Sequence, residues 1–116
     1  MTDRPPIPDL VLESRIIAIG RNVPATSAAR IGDAFVAGGV RVMELTLNDP
    51  EDEALRSIEA LALVADDLGA LVGAGTVLTI GAAKRAVDAG ARFIVSPHTD
   101  TELIAWCALS GVPCYP

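Results

Sequence analysis

The sequence predicts an α/β fold of parallel βα units, on three observations. Apolar β-type runs recur about every 20 to 30 residues, segments with helical spacing of apolar residues lie between them, and a glycine closes each helical segment. The first run is Arg15 to Arg21 (RIIAIGR), after a proline-rich start. Ala28, Ile31 and Phe35 then mark a helix face that ends at Gly38. The second strand spans Val40 to Leu47. Asp49 reads as the N-cap of the next helix with Pro50 in its first turn; Leu55, Ile58, Ala62 and Ala65 form its apolar face, and Gly69 ends it. Ala70 to Thr76 is the third strand. A helix capped by Thr79 follows, with Ile80, Ala83 and Val87 on one face and Gly90 as its stop. The fourth strand is Ala91 to Ser96. A helix capped by Thr99 or Asp100 runs to Gly111, and a fifth strand begins at Pro113 to Tyr115. The glycines fall where a chain leaving a helix commonly needs a left-handed residue. The second and fourth runs are apolar on both faces, as parallel strands covered on both sides are.

Two architectures accommodate such units, an open doubly wound sheet and a (β/α)8 barrel. A dinucleotide-binding open sheet needs a glycine-rich loop after its first strand, and GRNVPATS has no GxGxxG there. A barrel gathers its polar groups at the C-terminal ends of several strands, where this sequence places Arg21, Glu44, Thr46, Asn48, Thr76, Ser96, Pro97 and His98. The barrel is favoured, and four units plus the start of a fifth strand amount to about its first half, in a single domain of 116 residues.

Composition narrows the function classes. With 51% hydrophobic and 21% charged residues the chain is globular, and a formal charge of −6 argues against a broad nucleic-acid surface. No apolar run reaches the roughly 18 residues of a membrane span, and the acid and prolines of MTDRPPIPDL do not form a signal peptide. A cytoplasmic protein is expected. Cys107 and Cys114 have no metal-type spacing and read as small buried residues.

Glu44 stands out, a carboxylate inside the apolar run VRVMELTLNDP. Burying such a charge costs several kcal/mol unless it is paired, hydrogen-bonded or protonated, so it has a use. That use is either an ion pair with Arg21 or Arg41 or a chemical role in a site. Strand alternation puts Val42, Glu44 and Thr46 on one face and groups Val72, Ala74 and Thr76 on one face of the third strand, with Ala74 and its flanking glycines leaving room for a ligand.

The motifs VMELTL, VGAGTV and FIVSPHTD, in this order and at these separations, resemble the aldolases for 2-keto-3-deoxy-6-phosphogluconate (KDPG) and 4-hydroxy-2-oxoglutarate (KHG). The resemblance extends from Ile16 to Pro116. It implies a (β/α)8 barrel, commonly a homotrimer, that cleaves 2-keto-3-deoxy-6-phospho sugar acids or 4-hydroxy-2-oxoglutarate to pyruvate and an aldehyde through a lysine Schiff base, with no metal or other cofactor. Glu44 matches the general acid/base. Thr76 matches the threonine that binds the keto acid, Arg21 a strand-end arginine suited to carboxylate or phosphate, and Pro97 a proline beside the substrate. Asn48 stands where many gluconate-type members have arginine. Asparagine there resembles the phosphogalactonate aldolases, which leaves the sugar stereochemistry open. The resemblance also places the Schiff-base lysine on a sixth strand, beyond these five. Lys84, beside Arg85 on a predicted helix, reads as a solvated lysine rather than a substitute, and His98 as a solvent-facing loop residue. The chain by itself is therefore expected to be inactive. The alternative is a half-barrel assembly module that pairs with itself or complements a C-terminal half.

Overall fold

In a computed structural model that describes residues 3–116, the chain forms four βα units and a fifth strand, preceded by a short helix. The elements are α1 (Asp9–Ser14), β1 (Ala18–Gly20), α2 (Ala25–Ala37), β2 (Val42–Thr46), α3 (Glu51–Leu68), β3 (Leu71–Gly75), α4 (Ile80–Asp88), β4 (Ile94–Val95), α5 (Thr101–Leu109) and β5 (Cys114–Tyr115). All strand pairs are parallel, and the strand order is β1-β2-β3-β4-β5. That order separates the two candidate architectures. A doubly wound sheet reverses its strand order to cover both faces, whereas strictly sequential right-handed crossovers keep every helix on one face. The five strands are a partial (β/α) barrel.

The register fixes which residues share that helix-covered face. Gly20, Leu45, Ala74, Ile94 and Cys114 form a row across all five strands, flanked by Ala18, Met43 and Val72. From Leu45 onward this row belongs to the main core, joined by Ile58 and Leu61 of α3, Ala83 and Ala86 of α4, and Leu103 and Cys107 of α5. Helices α2 and α3 approach closely because Gly32 has no side chain: a β-carbon there would collide with Leu61. Leu61 itself, fully buried, lies outside the helix face expected from sequence.

Several boundaries differ from expectation, each for a local reason. The strand expected from Arg15 is regular only over Ala18–Gly20, because Arg15 is the left-handed C-cap of the unforeseen helix α1. Helix α1 packs against β2, and Arg4 and Pro5 reach β5, so the N-terminal segment spans the sheet. Helix α3 begins one residue later than expected: Pro50, not Asp49, is its N-cap, held extended at φ −77° and ψ 136° with no side-chain cap. The left-handed turn after α2 falls on Gly39 (φ 94°) rather than Gly38, while Gly69, Gly90 and Gly111 have positive φ where expected. Thr79 caps α4, accepting from Ala82 N–H at 3.0 Å, and Asp100 rather than Thr99 caps α5, accepting from Glu102 and Leu103 N–H. Regular geometry in β4 covers only Ile94–Val95, but backbone bonds from Arg92 N–H to Val72 O and from Ser96 N–H to Tyr115 O continue the ladder over the expected length.

Candidate active site

The face of the sheet opposite the helices carries the polar groups. Ile19, Glu44 and Gly73 form one of its rows, by the same register that puts Leu45 and Ala74 on the helix side. This corrects one expectation: Val72 and Ala74 face the helices, and Ala74 is fully buried in the core. Space on the inner face comes from Gly73 and Gly75 instead. Two neighbours fill it. The Phe93 ring lies over Gly73 and the Glu44 carboxyl lies over Gly75, so that a β-carbon at either glycine would collide with them. Phe93 is fully buried and its ring packs on Tyr115 at a centroid distance of 5.8 Å and an interplanar angle of 46°; the Tyr115 hydroxyl is buried without a partner among the described residues.

Glu44 is 5% exposed, and among the described residues no hydrogen bond or ion pair holds its carboxyl. The three ion pairs among the described residues lie elsewhere: Arg56–Glu53, Arg85–Glu51 and Arg92–Asp66. Neither Arg21 nor Arg41 makes the direct pair that would explain the charge as structural. Arg41 lies exposed before the start of β2, with its guanidinium near Gly69. Burial pushes the Glu44 carboxyl above its ordinary value of 4.5, and the more distant Arg21 guanidinium, at the exit of β1, opposes that rise. A buried carboxyl, unpaired and raised in this way, exchanges protons nearer neutrality than a surface glutamate.

The loops after β1 and β2 are joined by side chains. The Thr46 hydroxyl donates to Asn48 Oδ1 at 2.6 Å, and Asn48 Nδ2 donates to Asn22 Oδ1 at 2.7 Å. Asn22 was not foreseen as a site residue. It adopts a left-handed conformation (φ 56°), which asparagine tolerates better than most residues. The loop carrying Arg21 and Asn22 is fastened from α3: Ser57 Oγ donates to Val23 O at 2.5 Å, and Glu53 Oε1 accepts from Ala25 N–H at 3.2 Å, capping α2 across 28 residues of sequence. Beside these groups lies a cavity of about 200 Å³, lined among others by Asn22, Thr46, Asn48 and Glu53.

Thr76 follows β3 with φ 55°, an uncommon conformation for a β-branched residue, and such outliers concentrate at functional sites. The turn takes its side chain out of the strand alternation assumed from sequence. Pro97 and His98 are exposed at the exit of β4, where His98 Nδ1 lies 3.2 Å from the buried Ser96 hydroxyl. No hydrogen bond ties them to the residues around Glu44 among the described residues. Lys84 is exposed on α4. Cys107 and Cys114 meet in the core, and burial and Cys114 push the Cys107 thiol up to about 12, far from a reactive thiolate. Among the described residues no group of three or more His, Cys, Asp or Glu could hold a metal ion, and no helix is long and apolar enough to cross a membrane.

Sequential parallel strands, helices on one face and polar groups at the C-terminal strand ends on the other define a protein of the (β/α)-barrel class. Residues 7–116 match the family described as KDPG and KHG aldolase, and the chain belongs to that family. It is 36% identical over 114 residues to a probable 2-dehydro-3-deoxy-6-phosphogalactonate aldolase of Rhizobium meliloti, covering 98% of this chain and 51% of the relative. It is 37% identical over 103 residues to a 2-dehydro-3-deoxy-phosphogluconate aldolase of Treponema pallidum, covering 83% of this chain and 47% of the relative. Among solved structures, KDPG aldolase from Legionella pneumophila, with pyruvate captured as a covalent carbinolamine intermediate, superposes with a TM-score of 0.71 at 36% identity, covering 86% of this chain and 47% of that one. The chain thus spans about half the length of the relatives it matches.

Proposed function

We propose that this chain supplies the acid/base and keto-acid-binding half of a class I aldolase that releases pyruvate from a 2-keto-3-deoxy-6-phospho sugar acid or from 4-hydroxy-2-oxoglutarate. The observation that carries the reading is Glu44, buried on the inner face, unpaired among the described residues, and raised above its ordinary value by burial. In this role the protonated carboxyl gives a proton to the hydroxyl leaving the carbinolamine as water, and the carboxylate then takes the proton of the substrate hydroxyl whose carbon departs as the aldehyde. Thr76, turned out of the strand, donates its hydroxyl to the keto acid. Arg21 meets an anionic group of the substrate. Asn48, tied to Thr46 and Asn22, offers neutral hydrogen-bonding groups where many gluconate-type members place an arginine, and Pro97 borders the substrate. The covalent carbinolamine of the Legionella pneumophila enzyme supports the Schiff-base chemistry.

The nucleophilic lysine is not among these residues on this reading. Lys84, the single lysine, lies exposed on α4, where nothing desolvates it. The purified 116-residue chain is expected to release no pyruvate from KDPG above a Glu44→Gln control and to form no borohydride-trapped adduct with pyruvate; either signal overturns this part. When the remaining strands of a relative are supplied as a second chain, turnover appears, and Glu44→Gln lowers it by roughly 10² to 10⁴-fold. Turnover that survives the substitution removes Glu44 from the chemistry.

A second reading, an assembly module that pairs with itself or with a C-terminal half, is favoured by the free edges of β1 and β5 and by Ile19, 65% exposed on the inner face. The homotrimer that the resemblance implies, in the cytoplasm expected from the sequence, belongs to the completed barrel. A clean monomer of the isolated chain at micromolar concentration, read by solution mass, counts against the module.

A further inference from the structure

Gly75 has an ordinary strand backbone within β3, one that alanine adopts without strain, so its φ and ψ do not explain why a glycine stands there. What crowds the position is a single side chain. A β-carbon on Gly75 would stand 2.7 Å from the Glu44 carboxyl carbon and 3.3 Å from Oε2, with Oε1 nearer still, and nothing outside Glu44 is among its three closest neighbours. The carboxyl reaches over from β2 and rests on bare backbone. We infer that Gly75 is a positioning residue: its missing β-carbon is the seat of the Glu44 carboxyl and decides where that carboxyl is presented to a ligand. The functional weight of the seat rests on the acid/base reading of Glu44.

Gly73, two residues earlier on the same face, supplies the contrast. There the crowding neighbour is the Phe93 ring, fully buried and packed on Tyr115, which has no room to yield. Glu44 presents the free end of a flexible chain, which yields by moving. Alanine at position 73 therefore acts on packing, and alanine at position 75 acts on the carboxyl. Among the described residues, β3 offers two glycines beside that carboxyl, β1 pairs Ile19 with Glu44, the Phe93 ring just before β4 covers Gly73, and Arg21 is the charge that acts on it. Displacement toward solvent or toward Arg21 lowers its proton affinity in either case.

The test is a carbon-13 titration of the Glu44 side-chain carboxyl in the 116-residue chain, comparing wild type with Gly75→Ala and Gly73→Ala, and unfolding each in urea. Gly75→Ala is expected to move the Glu44 midpoint down toward the ordinary 4.5 with a small change in urea midpoint, and Gly73→Ala to lower the urea midpoint more while leaving the Glu44 midpoint in place. An unchanged Glu44 midpoint in Gly75→Ala overturns the inference. Should Gly75→Ala fail to fold, adding Glu44→Ala removes the crowding carboxyl and restores folding; failure of the double variant also overturns it. The titration is blind to whether the chain cleaves a sugar acid. If the acid/base reading alone is wrong, the midpoint still moves while Glu44→Gln leaves the turnover of the complemented barrel intact.

Discussion

The two faces of one sheet are built to different rules. On the helix side Met43, Leu45, Val72, Ala74 and Ile94 interlock with apolar residues of α2 to α5, and polar groups are nearly absent. On the inner side the same strands offer Ile19 to solvent, carry glycine at 73 and 75 under the Phe93 ring and the Glu44 carboxyl, and hold that carboxyl without a partner among the described residues. The first face binds the elements together by apolar burial, worth about 25 cal/mol per Å². The second keeps a buried carboxyl at the cost of its desolvation, laid over glycine backbone where a small ligand could reach it. The difference teaches that stability and chemistry are separated here by strand parity, one residue apart along each strand.

The sharpest way to break that comparison is to damage each face in turn. Leu61→Ala opens a cavity in the fully buried helix layer and should cost about 2–5 kcal/mol in urea unfolding. A loss below about 1 kcal/mol would mean the helix side is not the stabilising one. Next in size, Thr79→Ala removes the α4 cap and should cost about 1 kcal/mol. On the inner face the sign should reverse. Because the Glu44 carboxyl is raised in the folded state, wild type binds an extra proton on folding and loses stability as pH climbs from 4.5 through the raised value. Glu44→Gln has no such loss. Its stability relative to wild type should rise over that window, level off above it and lose the gain below 4.5, which thermal melts across pH would read. A variant less stable than wild type at neutral pH would show that an unrecognised partner satisfies the carboxylate. The smallest effect belongs to Ile19→Ser, within about 0.5 kcal/mol of wild type because the side chain is already exposed. A larger loss, or a fall in solution mass, would reveal that Ile19 is covered by a second copy.

Much of the fold was legible because it rests on local rules. Helical spacing, the caps at Thr79 and Asp100 and three of the four helix-ending glycines follow from short-range chemistry, and the elements they bound are where they were expected. Departures occur where a distant segment intervenes. Helix α1 gains support by packing on β2, and the start of α2 is capped by Glu53 of another helix rather than by its own N-cap, Pro24. Glu53 carries a mark of that service: hydrogen bonds from Arg56 and then from Ala25 N–H hold its carboxyl below the ordinary value. Of the candidate site, Glu44 announced itself by being charged in an apolar run, and Arg21, Thr76, Asn48 and Pro97 were proposed from the motifs around them. Asn22 gave no comparable signal, since its link to Asn48 spans 26 residues.

By itself the sequence determined that this chain repeats parallel βα units, that it resembles the KDPG and KHG aldolases, and that Glu44 needs an explanation. Strand order and facing were decided only in the tertiary structure. Alternation along a strand says which residues lie together but not which way they point, and the register that sets Glu44 beside Gly73 turned Ala74 toward the helices. The same pairing brought the carboxyl of one strand over the bare backbone of the next at Gly75, a juxtaposition 31 positions apart in the chain that no local pattern encodes.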